Sequence, residues 1–240
     1  MPIAAHFREL RARAIASLCA LAAASCAAYA FFPEIARFML RPFEALGGAG
    51  LYATSLFEGF VTRVELSILA GFAASLPLHL ANACAFVVPG LTRRESRVLI
   101  ASLCVGGALA AGGFLYAYEW LVPAAIAFLA SPEFYPEGVG MLLGYQRSVL
   151  LVIQLLAGAM LLSLVPVLVL TLVKLGAASV KDMLKAGRYV TVGAFVVAAI
   201  LTPPDAVSQI CLALPLVALY YLSLLAAKLL RFDVRKGGAE

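Results

Sequence analysis

GRYVTVGAFVVAAILTPPDAVSQICLALPL, residues 187–216, holds two apolar runs joined by a four-residue polar hinge, Thr202-Pro203-Pro204-Asp205. The first run, Tyr189 to Leu201, carries no charge, yet as a helix it reaches only about 20 Å. A bilayer presents roughly 30 Å of hydrocarbon, so this run alone is too short to cross it. Proline has no N–H and restricts the residue before it, so a Pro-Pro pair ends one helix and lets the next begin. The second run, AVSQICLALPLVALYYLSLLAAKLL, follows at once. The pattern predicts a chain that enters the membrane, turns on two prolines and returns, with an acid at the tip.

The rest of the composition fits that reading. Of 240 residues, 64% are hydrophobic and 13% charged, and the mean hydropathy is +1.00. A soluble domain of this size cannot hide so much apolar surface, so the sequence specifies a polytopic membrane protein. The apolar stretches are too long and too uniform for half-buried strands, which excludes a β-barrel. Cys19, Cys26, Cys84, Cys104 and Cys211 all fall in apolar runs without a CxxC pair. They read as small packing residues, with no disulfide framework, metal site or cofactor expected. The net charge of +5 reports topology and gives no ground for nucleic-acid binding. Residues 1–30 imitate a secretory signal ending at Ala28-Tyr29-Ala30. Glu9 in the basic region and Phe31-Phe32 just beyond argue for a retained first span.

Charge breaks predict six spans, at about 14–33, 65–89, 98–122, 148–173, 189–202 and 206–228, forming one membrane domain over residues 1–240. Pro77, Pro166 and Pro215 interrupt them, where neighbouring helices must compensate the freed carbonyls. Arg8, Arg11, Arg13, Arg93, Arg94, Arg97, Lys174, Lys181, Lys185, Arg188, Lys228, Arg231, Arg235 and Lys236 all fall on one side, fourteen of the 18 basic residues. Only Arg37, Arg41, Arg63 and Arg147 fall on the other. The positive-inside rule then puts both termini in the cytoplasm and the 33–64 and 123–147 loops outside, with Trp120 at an interface. Ser179 is expected to cap a short amphipathic stretch running to Arg188, lying at the lipid surface.

Two acids stand on the cytoplasmic face. Glu9 lies in AHFRELRAR, where an intrahelical pair with Arg13 is the plain expectation. Glu95 lies in PGLTRRESR, where a solvated carboxylate among arginines is the plain expectation. Two carboxylates on separate spans can also grip two guanidinium groups, since arginine offers a planar fork that matches a carboxylate and lysine does not.

Four segments carry a resemblance: HFRELRAR (6–13), AFVVPGLTRRESR (85–97), GGFLYAYEWLVP (112–123) and the opening stretch at 187–216. Together they resemble TatC, the signal-peptide receptor of the twin-arginine translocase, in order and spacing over nearly the whole chain. The resemblance implies an all-α fold of six helices in a concave cup, the fifth and sixth short, with an outer cap made by the two long loops. It implies a non-enzymatic receptor and channel component of the bacterial inner membrane. That component binds the paired arginines of signal peptides on folded cargo and works on the proton-motive force. Single-span TatA- and TatB-like partners, a homo-oligomer within the complex and contact with membrane lipid are implied as well. The family's signal-binding acids fall on Glu9 and Glu95, with Arg11 and Arg13 in the same motif. Its structural positions fall on Pro42, Glu58, Phe86, Pro89, Gly90, Pro203, Pro204, Asp205 and Gln209. The glutamate or glutamine usual in the family's span four falls on Leu164, or on Leu162 if the alignment slides by two, with Ser163 and Gln154 the nearest polar residues. Its Gln-x-Trp reads Asn82-Ala83-Cys84, and its lysine at the start of span two is Glu65.

Two other classes remain to be weighed. A rhomboid-like intramembrane protease would use His79 and Asn82, but there is no GxSxG serine, and a lone intramembrane His is more often a packing residue. A small-molecule transporter would show mid-membrane charge and repeated halves. Here Gly106-Gly107 and Gly112-Gly113 read as close-packing surfaces. No GxxxxGK[ST] motif supports an ATP site. Asp205, on the outer face, is out of reach of a cytoplasmic arginine pair, so the hinge is expected to be a structural corner.

Overall fold

The computed structural model describes residues 3–46, 50–87, 93–134, 142–174, 178–202 and 205–229. Among them the chain is helical almost throughout. The helices are α1 (Ile3–Ala30), α2 (Phe32–Leu40), α3 (Glu58–Val87), α4 (Arg93–Tyr116) and α5 (Val122–Leu129). They continue with α6 (Tyr145–Leu162), α7 (Val165–Lys174), α8 (Val180–Leu201) and α9 (Ala206–Leu229). Six helical stretches are long and apolar enough to cross a membrane: Phe7–Ala30, Glu58–Ala83, Ser96–Phe134, Tyr145–Lys174, Val180–Leu201 and Ala206–Leu229. They correspond in order to the six expected spans.

The boundaries differ where the expectation stopped a span at a charge, because a charge ends an apolar run but does not break a helix. The third span was expected to end near 122. It continues through a π-turn, Ala117–Leu121, into α5. Pro123 stands in the first turn of α5, and its ring conflicts with the carbonyl four residues earlier. One wider turn accommodates that conflict without ending the helix. The stretch after Ser179 is continuous with the fifth span. Ser179 does cap, its hydroxyl accepting from the Asp182 N–H at 3.1 Å. The helix it starts then runs unbroken for 22 residues to Leu201. Gly187, the one weak helix former before the apolar run, lies where an added Cβ would stand 2.6 Å from the Tyr221 hydroxyl. Gly187 therefore permits the close approach of α8 and α9 at this junction, and the fifth span is short in its apolar part only.

The long loops carry a parallel two-stranded pairing that the sequence reading did not anticipate. Leu51 pairs with Leu143 and Tyr52 with Gly144. It joins the segment before α3 to the segment before α6.

Two compact units divide the chain: residues 1–82 with 116–157, and residues 83–115 with 158–240. In the first unit, Leu66, Leu121, Val122, Ala125, Val149, Val152, Leu155 and Leu156 are fully buried. The Arg63 guanidinium lies 3.9 Å from the Tyr29 ring centre and donates to the Tyr29 carbonyl at 2.9 Å, joining α3 to α1. Gly71 permits the close crossing of the same two helices, since a Cβ there would meet the Ser25 backbone nitrogen at 2.6 Å. The Tyr118 hydroxyl donates to the Phe38 carbonyl at 2.8 Å, and the two rings stack 4.1 Å apart.

In the second unit, α9 packs on α7 and α8. Val169, Tyr220 and Leu224 form one buried cluster, and Val173, Val180 and Ala227 another. The Tyr220 hydroxyl donates to the Met183 carbonyl at 2.6 Å, satisfying a polar group that apolar surroundings would otherwise strand. The expectation of close packing at four glycines holds for two. A Cβ on Gly113 would lie 2.7 Å from the Ala159 carbonyl oxygen, and Gly106 lies against Leu164 and Val167. Gly107 and Gly112 have open space beside them.

Candidate functional site

Glu9 stands in the second turn of α1, half-buried, with Arg13 one turn on. The Arg13 Nη2 and Nε both donate to the same carboxylate oxygen, at 2.7 and 3.1 Å. The plain intrahelical pair is therefore formed. Its side chains keep 28% and 30% of their surface open, so the carboxylate holds a guanidinium while still accessible. Arg11 is exposed, and two residues of α-helix rotate it away from the Glu9 face. Only Arg13 of the two motif arginines joins Glu9. Glu95 falls in the first turn of α4, and its side chain lies outside the described residues.

The hinge is resolved on both flanks, while Pro203 and Pro204 lie outside the described residues. Thr202 is extended (φ −99°, ψ 157°), the conformation a following proline imposes. Its N–H and hydroxyl both return to the Ala198 carbonyl, at 2.8 and 2.9 Å. Asp205 is buried and caps α9. The Ser208 N–H donates to one carboxylate oxygen at 2.7 Å and the Ser208 hydroxyl to the other at 2.6 Å. Side-chain acceptors at this position satisfy the amide groups that a helix start leaves open. Gln209 then donates across the hairpin to the Phe195 carbonyl at 3.1 Å. Both oxygens of Asp205 accept from Ser208 on the helix that it caps.

Glu58 opens α3 and is buried. Its carboxylate takes the Thr54 N–H at 3.1 Å and the Thr54 hydroxyl, clasping the turn that leads into the helix. Pro42 lies in a 3-10 turn, Arg41–Leu46, half-buried beside buried Phe43. Phe86 is half-buried near the end of α3, and Pro89 and Gly90 lie outside the described residues.

The protease candidates are engaged elsewhere. His79 is 2.9 Å from the Ser75 hydroxyl and stacks on Phe72. Ser75 is buried and its hydroxyl is 2.7 Å from the Gly71 carbonyl, so its proton is used within its own helix. Asn82 donates to the Ser17 hydroxyl at 2.9 Å, tying α3 to α1. The His79 contacts lie within α3, where the hydroxyl beside it is buried, and the Asn82 contact joins two helices.

In span four the place of the family's usual acid is filled by apolar Leu164. Neighbouring Ser163 is buried, its hydroxyl donating to the Ala159 carbonyl at 2.7 Å. Four buried polar atoms of the first unit have no partner among the described residues: Ser25 Oγ, Thr62 Oγ1, Arg63 Nε and Glu65 Oε2. Sequence reading missed the Thr54–Glu58 clasp; Ser55-Leu56-Phe57-Glu58 has capping-box spacing, but the carboxylate reaches Thr54 and not Ser55.

A helical protein with six stretches long and apolar enough to cross a membrane is, in class, a multi-pass membrane protein. The family model of the Sec-independent protein translocase protein TatC matches residues 5–215. Among curated proteins, TatC of Magnetococcus marinus is 31% identical over 225 residues, 93% of this chain and 82% of that protein. TatC of Escherichia coli K12 is 31% identical over 238 residues, covering 98% and 90%. The crystal structure of the twin-arginine translocase receptor TatC superposes with a TM-score of 0.83 at 28% identity, covering 93% of this chain and 98% of that one. The chain belongs to the TatC family.

Proposed function

We propose that this chain is the signal-peptide receptor subunit of a twin-arginine translocase in a bacterial cytoplasmic membrane, with both termini cytoplasmic. Its 240 residues act as one membrane domain. Glu9 and Glu95 receive the paired arginines of the signal, with Arg11 and Arg13 setting the local charge. Folded cargo is exported on the proton-motive force with TatA- and TatB-like single-span partners, in a complex holding more than one copy of the chain. The protein is not an enzyme.

The observation that carries the reading is the Glu9–Arg13 pair. Two nitrogens of one guanidinium already converge on a half-open carboxylate. A signal arginine offers the same fork, so it can take over or share the acceptor that Arg13 now uses. The distribution of basic residues supports the orientation, because fourteen of 18 fall on the side that carries both Glu9 and Glu95.

The test is binding of a twin-arginine signal peptide to the purified protein, against a twin-lysine control. Lysine presents a point charge without the fork, so the control should bind more weakly. Glu9→Ala and Glu95→Ala should each weaken the arginine peptide roughly tenfold, the equivalent of one charge-assisted hydrogen bond of about 1.5 kcal/mol. Neither should change binding of the lysine peptide. Equal binding of both peptides to wild type and variants would sink the assignment.

A further inference from the structure

Residues 52–60 present apolar side chains outward from a braced turn. Leu56 is 94% exposed, Phe57 72%, Phe60 64% and Tyr52 53%. The turn that bears them is held from within. The Glu58 N–H donates to the Ser55 carbonyl at 3.3 Å, and the Phe57 N–H to the Ser55 hydroxyl oxygen at 3.3 Å. The Glu58 carboxylate closes it from the other side by taking the Thr54 N–H and hydroxyl.

That clasp has a second effect. Glu58 is the only charged residue between Gly50 and Thr62, and it is folded back and buried. The outward surface of the turn is therefore wholly without charge. It also continues into the span. Four-residue steps on a helix stay on one side, and Phe60, Val64 and Ile68 form such a row. Ile68 is 49% exposed inside a membrane-crossing helix, where an outward side chain meets acyl chains. An apolar, uncharged face running from a lipid-facing row onto the turn above it is the pattern of a segment bedded in the headgroup–acyl boundary.

We propose that Leu56, Phe57 and Phe60 form an interfacial anchor whose occupant is membrane phospholipid. The Thr54–Glu58 clasp presents the three side chains to the bilayer, and the anchor fixes the depth at which α3 begins.

Trp120 is the only tryptophan in the chain, so Trp120→Phe with Phe57→Trp places a single reporter on the turn. The full-length variant is reconstituted in phosphatidylcholine vesicles, with bromine near the headgroup end of the acyl chains or with iodide in the water. The expected result is loss of most tryptophan emission to brominated lipid, little loss to iodide, and no change on diluting the protein with further lipid. Quenching by iodide would place the turn in water and overturn the proposal. Protection from both quenchers that weakens on dilution would assign the face to a second copy of the chain and overturn it equally. If circular dichroism shows the Phe57→Trp protein misfolded, Leu56→Trp in the same background reads the same three outcomes.

Discussion

Replacing Asp205 by alanine separates a structural hinge from a binding hinge. The substitution removes both acceptors of the α9 start, at 2.7 and 2.6 Å from the Ser208 N–H and hydroxyl. Loss of an N-cap acid is worth about 0.5–2 kcal/mol. Ser208 is fully buried, so its hydroxyl is left without its acceptor at a further cost of about 1 kcal/mol or more. The sum is roughly 1.5–3 kcal/mol, which for a chain of this size corresponds to a fall in melting temperature of roughly 3–12 °C. Asp205→Asn keeps one side-chain oxygen to accept the N–H and should lose less. Ser208→Ala removes only the hydroxyl, and because it shares an interaction with Asp205 the double variant should lose less than the two single losses added. The assay is thermal melting in detergent by far-UV circular dichroism, with signal-peptide affinity measured well below the melt. A protein of unchanged stability that no longer binds the peptide would refute the structural reading and make Asp205 part of the site.

Other positions give sharper local tests. Gly71→Val drives a side chain into the Ser25 backbone and should separate α1 from α3, seen as loss of monodisperse protein on size exclusion, whereas Gly107→Val has open space and should behave as wild type. Tyr118→Phe removes the donor to the Phe38 carbonyl and should lower stability by about 1 kcal/mol while keeping the ring stack; an unchanged melt would show that bond to be without net worth.

The six spans and their order were legible in the sequence because each is a long, largely apolar run, and a run of that length satisfies its backbone in hydrocarbon as a helix. The hinge was legible for a different reason: Pro-Pro fixes backbone angles locally, so Thr202 is extended whatever surrounds it. What depended on partners distant in the chain was not legible. The pairing of Leu51 with Leu143 involves two residues on each side, too few for a periodicity signal. The start of α8 was legible in the Ser179 cap, but the close approach of Gly187 to Tyr221 is a contact between helices that no local pattern announces. For the candidate site, the sequence supplied Glu9 and its Arg13 pair through i,i+4 spacing alone. The same spacing sets Arg13 apart from Arg11, which two residues of helix carry to another face.

The central claim is that Glu9 and Glu95 receive the two signal arginines. The most direct measurement is photocrosslinking in membranes from a probe placed beside the arginine pair of a cargo signal, with the crosslinked residues of this chain mapped. The account predicts adducts in residues 6–13 and 93–97, lost when the pair is changed to lysines and weakened by Glu9→Ala or Glu95→Ala. Adducts confined to the 202–209 hinge, or insensitive to the arginine-to-lysine change, would contradict it.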